Sequence, residues 1–267
     1  MKFTLTVLGT GGSAGLPQIG GADGAGDWGL CDPAEPRNRR SRASAVIGAP
    51  LGNLLIDTAP ELRLQLTAQR IGRIDAVLFT HAHADHIAGF DEIRILNRLL
   101  GGPMPTYADA ACWAELHQRF SYAFGPWNGE GFFRPVLAER VVAAGDVLTI
   151  LGLPVQLLDQ DHGFVRSLGL RIGDVAYCTD VVRFSAAAFA ALRGVRILVI
   201  DCFTQGAPHP THANLAQVLE WVAALKPERT ILTHMGPDMD FGRLRAGLPA
   251  GIEPGYDGLV IQSVAAD

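Results

Sequence analysis

Cysteine is scarce and scattered. Cys31, Cys112, Cys178 and Cys202 make no C-x-x-C pair and share no close spacing, which excludes a disulfide framework and leaves a reduced, cytoplasmic protein as the simplest reading. Long apolar runs are also missing: none approaches the ~18 residues that span a bilayer, so no membrane segment is expected. Positive charge is not in excess. A net charge of −5 argues against a nucleic-acid surface spread over the whole protein and leaves room only for a local basic patch. The N-terminal run carries one lysine, Lys2, and no small-residue cleavage site, so it reads as a first strand and not as a signal peptide. What is present, in 267 residues at 48% hydrophobic and 18% charged, suffices for a sizeable core.

Strand-like runs fall at 3–8, 44–47, 53–57, 76–80, 147–150, 155–158, 168–172, 175–179, 197–201, 230–233 and 259–262. Helical periodicity is clearest at 61–70, 88–100, 109–124, 186–192 and 214–225, by the 2.0 and 3.6 residue repeats of the two structures. Paired strands precede each helix in the first half, and the second half does the same. That pattern predicts an α/β (α+β) fold with helices on the outsides of two sheets. No linker divides the chain, so one domain over 1–267 is expected. Two loops stand out. Residues 9–42 are glycine-rich and carry Arg37, Arg39, Arg40 and Arg42; a long structureless loop of this kind is usually functional. Those arginines either hold an anionic substrate or form a solvated basic loop. The aromatic loop at 125–134 either caps a pocket, meets a partner subunit in a homodimer, or folds over exposed helix ends.

The chemistry concentrates in Thr80-His81-Ala82-His83-Ala84-Asp85-His86, where three imidazoles and a carboxylate fall within six residues after a buried strand. His81 and His83, two apart in an extended segment, point the same way and suit one metal ion. Asp85 and His86 follow where the chain turns into a helix and can aim at a second ion. Two such ions sit roughly 3.5–4 Å apart in hydrolytic sites. A helix cap explains Asp85 but not three histidines. His162, Asp180 and His234 each end an apolar strand, and together with the first group they complete two nitrogen/oxygen sites.

This arrangement, His81-x-His83-x-Asp85-His86 followed by His162, Asp180 and His234, resembles the metallo-β-lactamase superfamily, in particular its phosphodiesterase branch, which includes PhnP and tRNase Z. The resemblance runs from the glycines at 9–15 to Tyr256-Asp257-Gly258. It implies a four-layer αββα sandwich with His81, His83 and His162 on one ion, Asp85, His86 and His234 on the other, and Asp180 between them. It makes Asp57 a buried residue that orients a histidine from outside the ligand set. It places His212 beside the leaving group, so that His212 and Asp85 form the catalytic set. His209 and His117 match no position of that pattern and read as ordinary surface or core histidines. The ligands suit Zn²⁺ or Mn²⁺ better than iron. The PhnP pattern also has a cysteine cluster in the early loop; here only Cys31 is there, and no structural zinc is expected.

Two ions would lower the pKa of a bridging water toward ~7 and supply a hydroxide nucleophile. The expected activity is phosphodiester hydrolysis on a small or cyclic phosphate ester. Asp180 follows His162 by only 18 positions, too few for the RNA-gripping arm of tRNase Z, and the commonest β-lactamases would carry cysteine as a second-metal ligand. A lactonase or thioesterase, and a PqqB-like protein with oxidative chemistry, stay open. The glycines at 9–15 follow a strand but lead to Pro17 and more glycines instead of a helix, so they are not a dinucleotide loop. They read as a loop whose backbone approaches the metal site.

Overall fold

The computed structural model describes residues 2–263; residues 1 and 264–267 of the expected domain lie outside the described residues. In the first half, β1 (Thr4–Gly9), β2 (Ser44–Ala49) and β3 (Gly52–Ile56) form an antiparallel meander. Helix α1 (Leu62–Ala68) then leads to β4 (Ala76–Leu78), and α2 (Ala84–Ile87) with α3 (Ile93–Leu100) leads to β5 (Met104–Ala108). Helix α4 (Ala110–Arg119) leads to β6 (Leu137–Val141), and β3 to β6 run parallel. The second half repeats the scheme. Strands β7 (Val147–Ile150), β8 (Leu153–His162), β9 (Val165–Ile172) and β10 (Val175–Cys178) pair antiparallel. After β11 (Arg183–Phe184) come α5 (Ala186–Ala191), β12 (Ile197–Asp201), α6 (Leu215–Leu225), β13 (Arg229–Thr233), α7 (Phe241–Gly247) and β14 (Ile252–Pro254). β10, β12, β13 and β14 are parallel. Strand β15 (Leu259–Gln262) returns to pair with β1. The sheets therefore read β15-β1-β2-β3-β4-β5-β6 and β11-β8-β9-β10-β12-β13-β14, with β7 on β8.

Successive strand residues face opposite ways, and that sorts the core into three apolar layers. From β3, β4 and β12, Leu54, Ile56, Leu78, Ile197 and Val199 enter the layer between the sheets. Their alternates divide: Leu55 and Val77 pack under the helices of the first sheet, and Leu198 and Ile200 under those of the second. Two sheets sharing one core, each covered by helices, are the αββα sandwich. Cys178 lies in the outer layer of the second sheet, fully buried. No helix among the described residues is long and apolar enough to cross a membrane.

Several elements differ from the periodicity. The amphipathic stripe at 88–100 is broken because Gly89 donates to Thr58 O at 2.9 Å, and a Cβ there would lie 2.2 Å from Ala59 O. That contact closes α2 after one turn, and α3 restarts at Ile93. The stripe at 109–124 starts with Asp109 capping Cys112 N at 2.7 Å but leaves the α-helix after Arg119. Strands β5, β6, β11 and β14 have no counterpart in the pattern. β5 contains Pro105, and β6 exposes Glu139, Arg140 and Val141, so neither shows a clean alternation. Helix α7 is short and begins where Asp240 caps Arg243 N at 2.8 Å.

Candidate metal centre

One edge of the sandwich gathers the chemistry. β4 runs out at Leu78, and the next residues deliver His81 and His83 before α2 opens with Asp85 and His86. β8 ends on His162, and Asp57, Asp201 and His234 stand at the C-terminal ends of β3, β12 and β13, with Asp180 two residues beyond β10. Register aligns the second group: Cys178 pairs with Ile200, and Ile200 with Leu232, so the ends of three adjacent parallel strands meet at one level, where α/β sheets place their sites. Asp57, Asp180 and His234 take φ of 61°, 54° and 54°. Non-glycine residues in this left-handed region cost about 1–3 kcal/mol each, and such strain gathers at functional edges.

Four overlapping groups of potential ligands result: two contain the seven expected ligands, and the other two bring in His212, with His162 and Asp180 or with Asp201 and His234. The nitrogen atoms of His81, His83 and His162 lie within 4.8 Å of one another, and so do the ligand atoms of Asp85, His86, Asp180 and His234. His83 Nδ1 is 3.1 Å from His162 Nε2. Asp85 Oδ2 stands 3.4 Å from both His86 Nε2 and His234 Nε2. Asp180 belongs to both. Its Oδ1 lies 3.6 Å from His162 Nε2, 3.9 Å from His81 Nε2 and 3.2 Å from His234 Nε2, while Oδ2 is 3.2 Å from His86 Nε2.

The outer partners set which nitrogen faces inward. Thr80 donates its hydroxyl to Asp57 Oδ2 at 2.8 Å, so at 3.0 Å it can only accept from His81 Nδ1. His86 Nδ1 donates to Asp57 Oδ2 at 2.8 Å, and His162 Nδ1 to Thr211 O at 2.7 Å. Each of these histidines therefore turns Nε2 to the cluster, the arrangement that fixes metal-ligating imidazoles. Burial pushes the Asp57 carboxyl up, with His86 and Thr80 acting against it.

Charge separates the clusters. Burial, then the neighbouring His86, holds His81 well below the usual histidine range; burial and His162 also lower His83, and burial and His212 lower His162. Against burial, Asp180, Asp85 and Asp57 raise His86 well above that range, and Asp180 and Asp85 lift His234 to about 9. Asp85 and Asp180 are correspondingly held below the usual carboxylate range, burial opposing and His86 and His234 prevailing. Buried His81 Nε2 has no hydrogen-bond partner among the described residues. Five inward-facing imidazoles and two carboxylates with such an orphaned atom fit divalent cations.

A cavity of about 340 Å³ adjoins the three-histidine cluster, bounded by His83, His162, Phe203, His209, His212 and the 12–15 turn. His212 stacks on His234 at 4.5 Å between ring centroids and stands 4.7 Å from the ring of His162. Its Nδ1 donates to Asp201 Oδ2 at 2.8 Å, and the same oxygen accepts Val181 N at 3.0 Å. Asp201 is missed by the sequence reading, although it ends an apolar strand just as Asp180 follows one. His209, read there as ordinary, lies on the cavity wall. His117 is remote, paired with Glu139 at 3.0 Å.

The glycine loop does approach the site. A Cβ on Gly12 would lie 2.9 Å from the Phe203 ring and 3.5 Å from His234, so only glycine fits there. Its arginines are otherwise engaged. Arg37 pairs with Glu35 and covers Phe241, Arg39 lies over Trp28, and Arg42 pairs with Glu61. Arg40, 2% exposed, donates to Gly236 O and Met239 O, tying the loop to the segment after His234. The aromatic loop is not part of the cavity: Arg98 holds Phe132 O at 3.0 Å, and Phe133 is exposed.

Residues 52–235 match the family described as the Beta-lactamase superfamily domain, a span that contains every cluster residue. The fold superposes on the crystal structure of a diphosphatase from the PhnP family with a TM-score of 0.88, at 34% identity over 98% of each chain. An octanoyltransferase of Porphyromonas gingivalis (strain ATCC BAA-308 / W83) is 28% identical over 257 residues, 95% of this chain; the chain spans only 50% of that protein. The anti-Pycsar protein Apyc1 of Bacillus phage BSP38 is 27% identical over 222 residues, covering 73% of this chain and 84% of that protein.

Proposed function

The chain belongs to the metallo-β-lactamase superfamily and to its PhnP-like branch of hydrolases, and from that premise we propose that it cleaves small or cyclic phosphate diesters with two divalent ions. His81, His83 and His162 would hold one ion, Asp85, His86 and His234 the other, with Asp180 shared. Zn²⁺ or Mn²⁺ suits these ligands better than iron. The observation that carries the reading is Asp180, whose Oδ1 faces His81, His162 and His234 while Oδ2 faces His86. When bound, the ions supply an activated water and positive charge against the phosphoryl oxygens.

The chain's own groups do the rest. His212 sits at the cavity wall with Nδ1 held by Asp201, which leaves Nε2 to give a proton to the departing oxygen. Asp201 keeps the ring in that orientation. Asp57 fixes His86, and through Thr80 it fixes His81. Among the described residues no lysine or arginine lines the cavity. A phosphate diester carries one negative charge, which the ions meet; a doubly charged monoester would call for cationic side chains as well. The identity of the PhnP-family neighbour, a diphosphatase, favours a second reading in which the bond cleaved joins two phosphates. The four buried, free cysteines support a reduced cytoplasmic setting.

The test is metal analysis together with hydrolysis of phosphodiesters, diphosphates, lactones and acyl thioesters, octanoyl included, on one preparation. Turnover of bis(p-nitrophenyl) phosphate with Mn²⁺ or Zn²⁺ is expected. Acyl cleavage with silent phosphodiesters would overturn the substrate class, and bound iron with oxygen consumption would favour the PqqB-like alternative.

A further inference from the structure

We propose that His209 and the Gly12–Gly15 turn form a second phosphoryl subsite, which makes a diphosphate carrying an ester group at each end the preferred substrate. This rests on the phosphoryl reading above and names the part of the molecule that the clusters do not hold. Thr211 N donates to His209 Nδ1 at 3.4 Å, and the Thr211 hydroxyl lies 3.2 Å from the same nitrogen. An imidazole whose Nδ1 accepts carries its proton on Nε2, so Nε2–H is the donor left on the cavity wall. Its ring stands 5.0 Å from Phe203 and 5.3 Å from His212, beside the group assigned to the departing oxygen. Burial and the nearby His212 also hold its pKa below the usual value, in keeping with a neutral donor.

The Gly12–Gly15 turn lines the same cavity. Gly12 N bonds Met235 O at 3.1 Å, and Gly15 N bonds Gly12 O at 2.8 Å. Between them the N–H groups of Ser13 and Ala14 have no acceptor among the described residues. Consecutive free N–H groups in a tight turn bind anions. All these donors are neutral. They match a phosphoryl group of single charge, esterified on its far side, better than a terminal phosphate of double charge.

In the reaction, the oxygen of water forms a bond to the phosphorus at the clusters. The bridging P–O bond breaks, and its electron pair leaves on the phosphate held by His209 and the turn. One proton of water is released to solvent and the other stays on the new phosphate. The proton that His212 gives to the departing oxygen is regained from solvent. The products are two phosphate monoesters.

The experiment compares a dinucleoside diphosphate, a nucleoside diphosphate and bis(p-nitrophenyl) phosphate on the metal-loaded wild type, His209→Ala and His209→Gln. For wild type, the dinucleoside compound is expected to be preferred over the nucleoside diphosphate. His209→Ala should lower the kcat/KM ratio of dinucleoside diphosphate to bis(p-nitrophenyl) phosphate about 10–100-fold, the loss of one hydrogen bond to a charged group, mainly through KM. His209→Gln, which keeps an N–H near the Nε2 position, should recover part of it, with metal content equal in all three. Equal losses on both substrates, or a fall in metal content, would make His209 a support for Thr211 and His162 and overturn the subsite. Wild type that cleaves only the simple diester would also overturn it while leaving the proposed function standing, whereas silence on every phosphate compound would remove both.

Discussion

The three-histidine cluster and the carboxylate–histidine cluster share Asp180, yet they meet protons in opposite ways. In the first, burial and neighbouring imidazoles push His81, His83 and His162 down, so their lone pairs are ready for a cation at neutral pH. In the second, Asp180, Asp85 and Asp57 push His86 up, and Asp180 and Asp85 push His234 up, despite complete burial. There a cation must displace protons. The same residue type in neighbouring sites is thus tuned by the number of carboxylates beside it, and that number gives each cluster its own response to mutation and pH.

The largest expected effect removes what they share. Asp180→Ala should lower turnover by about 10⁴-fold, the scale on which single members of a catalytic constellation act. Metal content, measured by mass spectrometry, should fall below that of wild type. Full turnover in this variant would break the claim that the clusters work as one. Next, His212→Ala should cost about 10²–10⁴-fold in turnover with metal fully retained, because His212 lies beside both clusters and belongs to neither assigned ligand set. Loss of metal in that variant would move His212 into the clusters.

Smaller effects sharpen the contrast. Asp57→Asn alters the acceptor of His86 Nδ1–H and should weaken metal binding about 10–100-fold, chiefly at the carboxylate–histidine cluster. Asp201→Asn should lower turnover by a similar factor with metal affinity kept, since Asp201 acts on His212. Titration of each variant with a competing chelator, alongside kcat, separates the two. The comparison fails if Asp57→Asn and Asp201→Asn give the same profile.

How far this edge could be read from the sequence follows from where the residues sit. His81, His83, Asp85 and His86 are legible because they are contiguous after one apolar strand. His162, Asp180 and His234 are legible as polar ends of strands. Asp201 carries that same signal, but its partner His212 lies eleven residues on, across a loop whose path no periodicity encodes. His209 was hidden for the same reason. The left-handed turns at Asp57, Asp180 and His234 run against local preference and are imposed by the fold. Arg40 sat in what read as a basic loop, yet it is buried against backbone carbonyls, a contact made across the whole chain. The layered sandwich was visible in its buried strands; its edge strand β6, half charged, was not.

The smallest effect is one of pH, and its sign separates the clusters without mutation. In chelated protein, His86 and His234 have folded pKa values above the ordinary 6.5, with His234 at about 9. A raised value means stability that is fully present below the unfolded pKa and lost as pH climbs through the folded one. Chelated protein should therefore lose Tm between pH 6.5 and about 9, as these imidazolium–carboxylate pairs lose their protons. In metal-loaded protein the cations take the place of those protons, and the loss is absent. The rise in Tm on adding metal should accordingly grow with pH across that window. The histidines of the other cluster, shifted down, give no such slope above 6.5. Thermal unfolding at pH 6, 7, 8 and 9, with and without chelator, measures the difference. A metal-induced rise that stays flat would mean that His86 and His234 are already neutral, and the two clusters would then differ in ligand type alone.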